Sequence, residues 1–455
     1  MVQADEMPVR RGRRFRYDAY DIDPAAGVIA CHYLLDDHAF TELIRIDAPP
    51  EGWGSPLVEP AARLLHLLAG VSYWKAGAPP VIELGATSLT GRERRFLQDV
   101  YAHGLAEFAH RNGIDLSDLR IEAGERSATG PDMHGRAAGA GHGRPLVPFG
   151  GGIDSIVVAE QVRRMHDDTA LFVLSRAGDR FAAIEAAAAV SGLPIVRAER
   201  ELDEKVLRSR ELGFLNGHVP VTGILSAIAV ATAVLHGRDA VVMSNEWSAS
   251  SATLMVGDRA VNHQWSKSWE FEAAFRGVLA ESVPGVAYFS ALRPWSELWV
   301  AERFAALREH HFAFRSCNRA FHVDPAQRLD RWCGRCDKCC FIDLILAPFI
   351  EAERLEAVFD GHEPLADDEL EPKFRALLGD PAHGKPFECV GDVDECRAAA
   401  LLAADRPDRA GTALLQRLAA SLRADGRPLP DVAALLRPLG PHFIEPAYAC
   451  ADIVV

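Results

Sequence analysis

The chain holds 455 residues, room for two or three domains, with 49% apolar and 25% charged residues, a globular balance that excludes fibrous and disordered classes. Its formal net charge of −15 withholds bulk electrostatic support from a nucleic-acid-binding role. Four of the nine cysteines lie between Cys333 and Cys340, which in a reducing compartment points to metal before disulfides.

Arg10-Arg11-Gly12-Arg13-Arg14 is basic, but no apolar stretch follows. It reads as a solvated arm and not a secretory signal, which places the protein in the cytoplasm. Residues 14–47 alternate apolar and polar positions through Phe15, Tyr17, Tyr20 and Ile22, then Val28, Ile29, Tyr33 and Leu34, then Leu43, Ile44 and Ile46. With turn residues at 23–27 and 36–38 they predict a β-meander. Helical periodicity follows over about 58–76 and 90–112. These elements predict a β-rich α+β N-terminal domain over 1–128. Residues 129–144 are rich in Gly, Ala and His without periodicity and read as a linker, with His134 and His142 solvated.

From 145 the pattern changes. Strand candidates at 145–149, 170–175, 194–198, 239–244 and 286–290 alternate with helices at about 154–166, 180–191, 202–210, 221–236 and 266–281. Such alternation implies an α/β fold, a doubly wound and mostly parallel sheet with helices on both faces. Val219 to Leu235 is the longest apolar run, but it is too short and, with Pro220, Thr222, Gly223, Ser226 and Thr232, too polar for a membrane span. The catalytic domain is placed at 145–345. A helical C-terminal region, 346–455, follows, with helices at 352–359, 367–378, 393–404 and 412–422.

Gly150-Gly151-Gly152-Ile153-Asp154-Ser155 stands between the first of these strands and its helix. Glycines let the backbone approach an anion, and the helix N-terminus turns N–H groups and its dipole toward it. The plain alternative is a flexible turn. No Gly-Lys-Ser/Thr follows, so this is not a Walker A loop, and the GxGxxG pattern does not fit. Ser244-Asn245-Glu246 follows a later strand, at the same sheet edge. Asn262-His263-Gln264-Trp265-Ser266-Lys267 is dense in oriented polar groups beside aromatics. It reads as a pocket floor, or alternatively as a helix start capped by Asn262 or Ser266. Cys333, Cys336 and Cys339 at spacings of two, with Cys317 upstream, can offer four thiolates to one tetrahedral zinc. The alternative is a set of buried cysteines packing as small apolar groups. Cys340 is surplus and is expected to pack on the following helix.

The glycine run resembles the PP-loop of ATP pyrophosphatases, Ser-Gly-Gly-x-Asp-Ser, with Gly150 where the first Ser stands. That departure removes one hydroxyl donor and leaves the backbone donors. The cysteine pattern resembles the zinc site of PP-loop enzymes that make cyano-deazaguanine. The whole combination, across most of the chain, resembles the bacterial UDP-N-acetylmuramoyl-L-alanyl-L-glutamate epimerases, which invert the terminal glutamate of a peptidoglycan precursor with ATP and magnesium. The resemblance implies a UDP-MurNAc-dipeptide substrate, a carboxyl adenylate, and release of AMP and pyrophosphate, with no nucleic-acid or membrane partner. Gly150, Gly151, Gly152, Asp154, Ser155 and Ser175 would hold ATP and pyrophosphate, Asp154 near magnesium. Ser244, Asn245, Asn262, Gln264, Trp265 and Ser266 would contact substrate. Glu246, His263 and Lys267, with His218 a fourth, would be candidates for proton transfer. Other readings are a PP-loop synthase of the 7-cyano-7-deazaguanine type and an inactive nucleotide-binding zinc scaffold.

Overall fold

The computed structural model describes residues 11–127 and 143–449, apart from 253, 257, 258, 323, 385, 387 and 389. Most of the expected 129–144 linker, with His134 and His142, lies outside the described residues. The meander forms as β1 (Arg14–Asp23), β2 (Val28–Leu35) and β3 (His38–Ile46). Two strands that the sequence pattern did not announce follow, β4 (Val81–Leu89) and β5 (Arg120–Glu125). The alternating half supplies β6 (Pro145–Pro148), β7 (Ala170–Ser175), β8 (Ile195–Glu201), β9 (Ala240–Met243) and, after the small hairpin β10 (Leu254–Val256) and β11 (Arg259–Val261), β12 (Ala287–Ser290).

All but the hairpin join one ten-stranded sheet in the order β12-β9-β6-β7-β8-β3-β2-β1-β4-β5. The pairings among β12, β9, β6, β7 and β8 are parallel, as are β1 with β4 and β4 with β5. Within this sheet, antiparallel pairing is confined to the meander and to its junction, where β3 meets β8 with Ile46 opposite Ala198. The result is a mixed α/β fold on a mostly parallel sheet, and the N-terminal strands extend that sheet.

Side chains alternate across a strand, so the apolar strands of the second half feed two cores. Val147, Leu171, Val173, Val242 and Phe289 enter one, under the helices Ile153–Arg163, Glu297–Ala305, Asp337–Leu346 and Val393–Ala404. Leu146, Phe172, Val241, Met243 and Tyr288 enter the other, under Val58–Ala69, Val221–Leu235 and Trp269–Ser282. The helices of the C-terminal region therefore pack on one face, while its last segment reaches the helix Trp269–Ser282, where Phe443 stacks on Trp269 at 4.3 Å.

Several expected helices differ in extent, the 90–112 pattern, for one, dividing into Gly91–Ala102 and Ala106–Arg111. The 58–76 pattern breaks at Gly70, where a Cβ would sit 2.5 Å from the ring of Tyr17, an approach that only glycine permits. The 202–210 pattern shrinks to Glu204–Leu207, because no apolar face continues beyond Val206. The polar stretch ahead of Trp269–Ser282 is capped by Ser268, which accepts from the Phe271 N–H, and not by Asn262 or Ser266.

Past β12, the guanidinium of Arg293 is fully buried. It donates to Glu272 at 2.8 Å, to the Glu246 carbonyl at 3.0 Å and to the Lys267 carbonyl at 2.5 Å. The other Glu272 oxygen accepts from the Ser290 N–H at 3.0 Å. Removing one member of a buried pair strands the other charge, at a cost of about 3–5 kcal/mol. Arg293→Met should therefore lower unfolding free energy by about that amount in denaturant titration; a loss below about 1 kcal/mol would contradict the pairing as described.

Candidate active site

Parallel strands end on the same side, so the chain leaving β6, β7, β9 and β12 converges at one sheet edge. The glycine loop leaves β6 there. Gly151 has φ +74°, and a Cβ on it would meet the Ala183 carbonyl at 3.1 Å. Gly152 is the N-cap of the helix Ile153–Arg163 and brings no side chain to cap it. Asp154 lies in the first turn, and Ser155 donates its hydroxyl back to the Gly152 carbonyl at 3.1 Å. Ser175, the last residue of β7, is buried with its hydroxyl unpaired among the described residues.

Around this loop the structure gathers three carboxylates. Oxygens of Asp154, of Glu246 in the segment after β9, and of Glu297 at the start of Glu297–Ala305 all lie within 4.8 Å of one another. Glu246 and Glu297 are buried, and one Glu297 oxygen has no hydrogen-bond partner among the described residues. Burial, then the charges of Asp154 and Glu246, push the Glu297 carboxyl well above the usual range; the charge of Lys338 partly offsets them. Burial pushes the neighbouring Glu395, which accepts from the Glu297 N–H at 3.1 Å, up to about 8. A site that crowds buried carboxylate oxygens has the donor chemistry of a hard divalent cation.

Arg293 ties this group to the polar stretch, since it binds the backbones of Glu246 and Lys267 together. Within the stretch, Asn262 donates to the Ala249 carbonyl at 2.9 Å and accepts from the Gln264 N–H at 2.7 Å, which shapes the loop. Lys267 donates to the Gln264 side chain at 3.2 Å. Trp265 is buried, edge-on to Phe271 at 5.5 Å, and belongs to the core. Ser266 is buried against Gly223. Asn245 is buried, and its carbonyl accepts from Ser290; Ser244 is half-buried beside it.

His263 joins a second cluster. Its Nδ1 is hydrogen-bonded to Glu107, which also pairs with Arg111 at 2.8 Å. The ring of His218 lies 4.3 Å from that of His263, centroid to centroid. Burial works to raise Glu107, but the bond from His263 and the charges of His263, His218 and Arg111 hold it below the usual range. Burial and then the charge of His263 lower His218 to about 4, which leaves it neutral at pH 7. Lys75 adds its charge to the same neighbourhood, and burial lowers it to about 8.

The four predicted cysteines meet. Sulfurs of Cys317, Cys333, Cys336 and Cys339 lie within 4.8 Å of one another, with Cys333–Cys339 at 3.6 Å and Cys336–Cys339 at 3.4 Å. Four sulfurs about 2.3 Å from one tetrahedral ion stand about 3.8 Å apart, so the group fits a closed metal centre of four thiolates. Bonds from Cys317, Cys336 and Cys339 hold the Cys333 thiol well below its usual range. Gly334, at φ +67°, makes the turn between the first two ligands of the knuckle. Cys340 is buried outside the group, its thiol pushed up to about 12 by burial.

Glu107, Lys75, Arg293, Glu297 and Glu395 were not legible as site residues. Each stands in an ordinary helical or loop context, and only the topology brings them together.

The chain is thus an α/β protein whose polar groups converge at the carboxyl edge of a mostly parallel sheet. It belongs to the MurL epimerase family: the MurL N-terminal domain matches residues 7–291 and the MurL C-terminal domain residues 313–431. Three relatives bear the name UDP-N-acetyl-alpha-D-muramoyl-L-alanyl-L-glutamate epimerase. That of Xanthomonas oryzae pv. oryzae is 38% identical over 440 residues, 95% of both chains. That of Salinispora tropica is 39% identical, over 97% of this chain and 96% of its own. That of a Micromonospora species is 38% identical, over 97% of this chain and 98% of its own. No helix among the described residues is long and apolar enough to cross a membrane.

The low His218 value has a consequence for stability. His218 titrates at about 4 when folded and near 6.5 when unfolded, so between these values the unfolded chain binds more protons. Its contribution is full above about pH 6.5 and is lost as pH falls toward 4. The stability of the wild type relative to His218→Asn should therefore fall by up to about 1.4 kcal/mol per pH unit across that window. A difference that does not change with pH would contradict this environment for the ring.

Proposed function

We propose that the chain is an ATP-dependent epimerase of UDP-MurNAc-L-Ala-L-Glu that works through a carboxyl adenylate. The observation that carries this reading is the trio Asp154, Glu246 and Glu297 beside the glycine loop, in a chain of the MurL family. A phosphate-cradling loop and a hard-cation site at one spot suit a nucleoside triphosphate bound with magnesium. Magnesium there would neutralise phosphate charge and hold the triphosphate in line with the attacking carboxylate. Most of the proposed site comes from the catalytic segment 145–345, with Glu107 and Glu395 reaching it from outside, and the cysteine centre takes zinc in a structural role.

The chemistry explains the need for ATP. Removing the α-proton beside a free carboxylate would place two negative charges on adjacent atoms. When the glutamyl carboxylate oxygen attacks the α-phosphorus, pyrophosphate leaves and the carboxylate becomes a neutral, electron-withdrawing acyl group. The Cα–H is then acidic enough for a side-chain base. Return of a proton to the opposite face inverts the centre. Water then cleaves the acyl phosphate, giving the D-glutamyl product and AMP.

His263 is the proposed proton-transfer group on one face, its imidazole oriented by the hydrogen bond between Nδ1 and Glu107. His218 does not serve the opposite face. With ring centroids 4.3 Å apart, no tetrahedral carbon fits between the two imidazoles. Lys267 and Glu246, both tied to Arg293, are the candidates there.

Asp154→Ala should abolish pyrophosphate release with the melting temperature little changed; release of ADP and orthophosphate by the wild type would rule out the adenylate. His263→Ala should still form pyrophosphate on substrate but lose at least about 100-fold in inversion, the usual weight of a general base; chiral analysis showing full inversion would remove this histidine from proton transfer. Metal analysis should find about one zinc per chain, lost in Cys336→Ser together with several degrees of melting temperature. Metal-free wild type of unchanged stability would exclude the structural role.

A further inference from the structure

The glycine loop lacks a hydroxyl at its mouth. Gly150, Gly151 and Gly152 have no side chains, and the hydroxyl of Ser155 is turned back onto the Gly152 carbonyl at 3.1 Å. A second segment lies against this loop. The Arg315 N–H donates to the Gly151 carbonyl at 2.9 Å, and the Cβ of the next residue, Ser316, lies 3.8 Å from where a Gly152 Cβ would be. The Ser316 hydroxyl is buried and has no hydrogen-bond partner among the described residues. An unpaired buried hydroxyl is costly, and it is usually explained by a ligand or a structural need.

We propose that Ser316 supplies the hydroxyl donor that Gly150 does not, and that its place in the bound state is a phosphate oxygen of ATP. This rests on the reading of the loop as the triphosphate site. A serine hydroxyl reaches three staggered positions about χ1, and from beside the helix N-cap it can turn to an anion held there. The segment is not free to drift. Cys317 follows Ser316 directly, and its sulfur accepts from the Cys333 N–H at 3.4 Å within the four-cysteine group. The same knuckle carries Lys338, whose charge reaches Glu297 in the carboxylate trio. The cysteine centre thus holds a donor against the phosphate loop, a positional task beyond general stabilisation.

The geometry also provides its own control. Gly150 is not in a left-handed conformation, and a Cβ built on it meets no atom within 4 Å. A serine at 150 therefore fits without strain and would restore a hydroxyl to the mouth of the loop. Binding of a non-hydrolysable ATP analogue with magnesium, followed by calorimetry alongside zinc content, tests the proposal. Ser316→Ala should keep its zinc and bind the analogue about 10-fold or more weakly, as expected for a hydrogen bond to a charged oxygen. Ser316→Thr should bind near the wild-type level, and Gly150→Ser/Ser316→Ala should recover most of the lost affinity. A Ser316→Ala protein that binds as the wild type overturns the proposal and leaves the ATP site standing. So does a weakened variant that the second substitution fails to recover, since the defect then comes from packing. A wild type that does not bind the analogue overturns both this inference and the ATP reading beneath it.

Discussion

The site depends first on one buried guanidinium. Arg293 sits behind the sheet edge, fully out of water, and its charge is balanced by Glu272. An ion pair in such a place is no strong source of stability, since desolvation consumes most of the attraction. What the pair provides is position. Arg293 has donors left over after Glu272, and they bind the carbonyls of Glu246 and Lys267. Two chain segments that depart from different strands are thereby fixed against each other. The carboxylate trio and the polar loop then share one frame.

From that frame follows a separation of charge environments. On one side, Asp154, Glu246 and Glu297 crowd negative charge beside the glycine loop, the proposed phosphate cradle. On the other, Glu107 sits under His263 and His218, which favours an imidazole held in one orientation. The first environment suits activation of a carboxylate by a nucleotide, the second suits movement of a proton. The proposed epimerisation draws on both, because masking the carboxylate charge makes the α-proton acidic enough for a side-chain base. The four-cysteine group and the C-terminal helices brace the trio's side, where Arg315, two residues before Cys317, donates to the glycine loop and Lys338 and Glu395 act on Glu297.

How much of this was legible in the sequence differs by element. The meander and the parallel strands were, because alternation and short β-branched runs report burial directly. The strands β4 and β5 were not: Val81–Leu89 contains Gly85 and polar residues, and Arg120–Glu125 is an exposed edge with little apolar pattern. The glycine loop and the cysteines could be read because their chemistry is local, carried by spacing within a few residues. Glu246 and Asp154 were named, but their partner Glu297 was not, since a glutamate at a helix start is an ordinary capping residue. Trp265 and Ser266 illustrate the reverse. Their neighbours suggested a pocket wall, yet the helix Val221–Leu235 and Phe271 enclose them in the core.

The order of events is the central claim: nucleotide-dependent activation at the trio must precede proton transfer at the imidazole side. Solvent deuterium incorporation at the glutamyl Cα tests it most directly. The wild-type protein, given UDP-MurNAc-L-Ala-L-Glu in deuterated water, should place one deuterium on Cα of the D-glutamyl product when ATP and magnesium are present, and none when ATP is omitted. Deuterium at Cα without ATP, or inversion with ATP that carries no solvent deuterium, would contradict it.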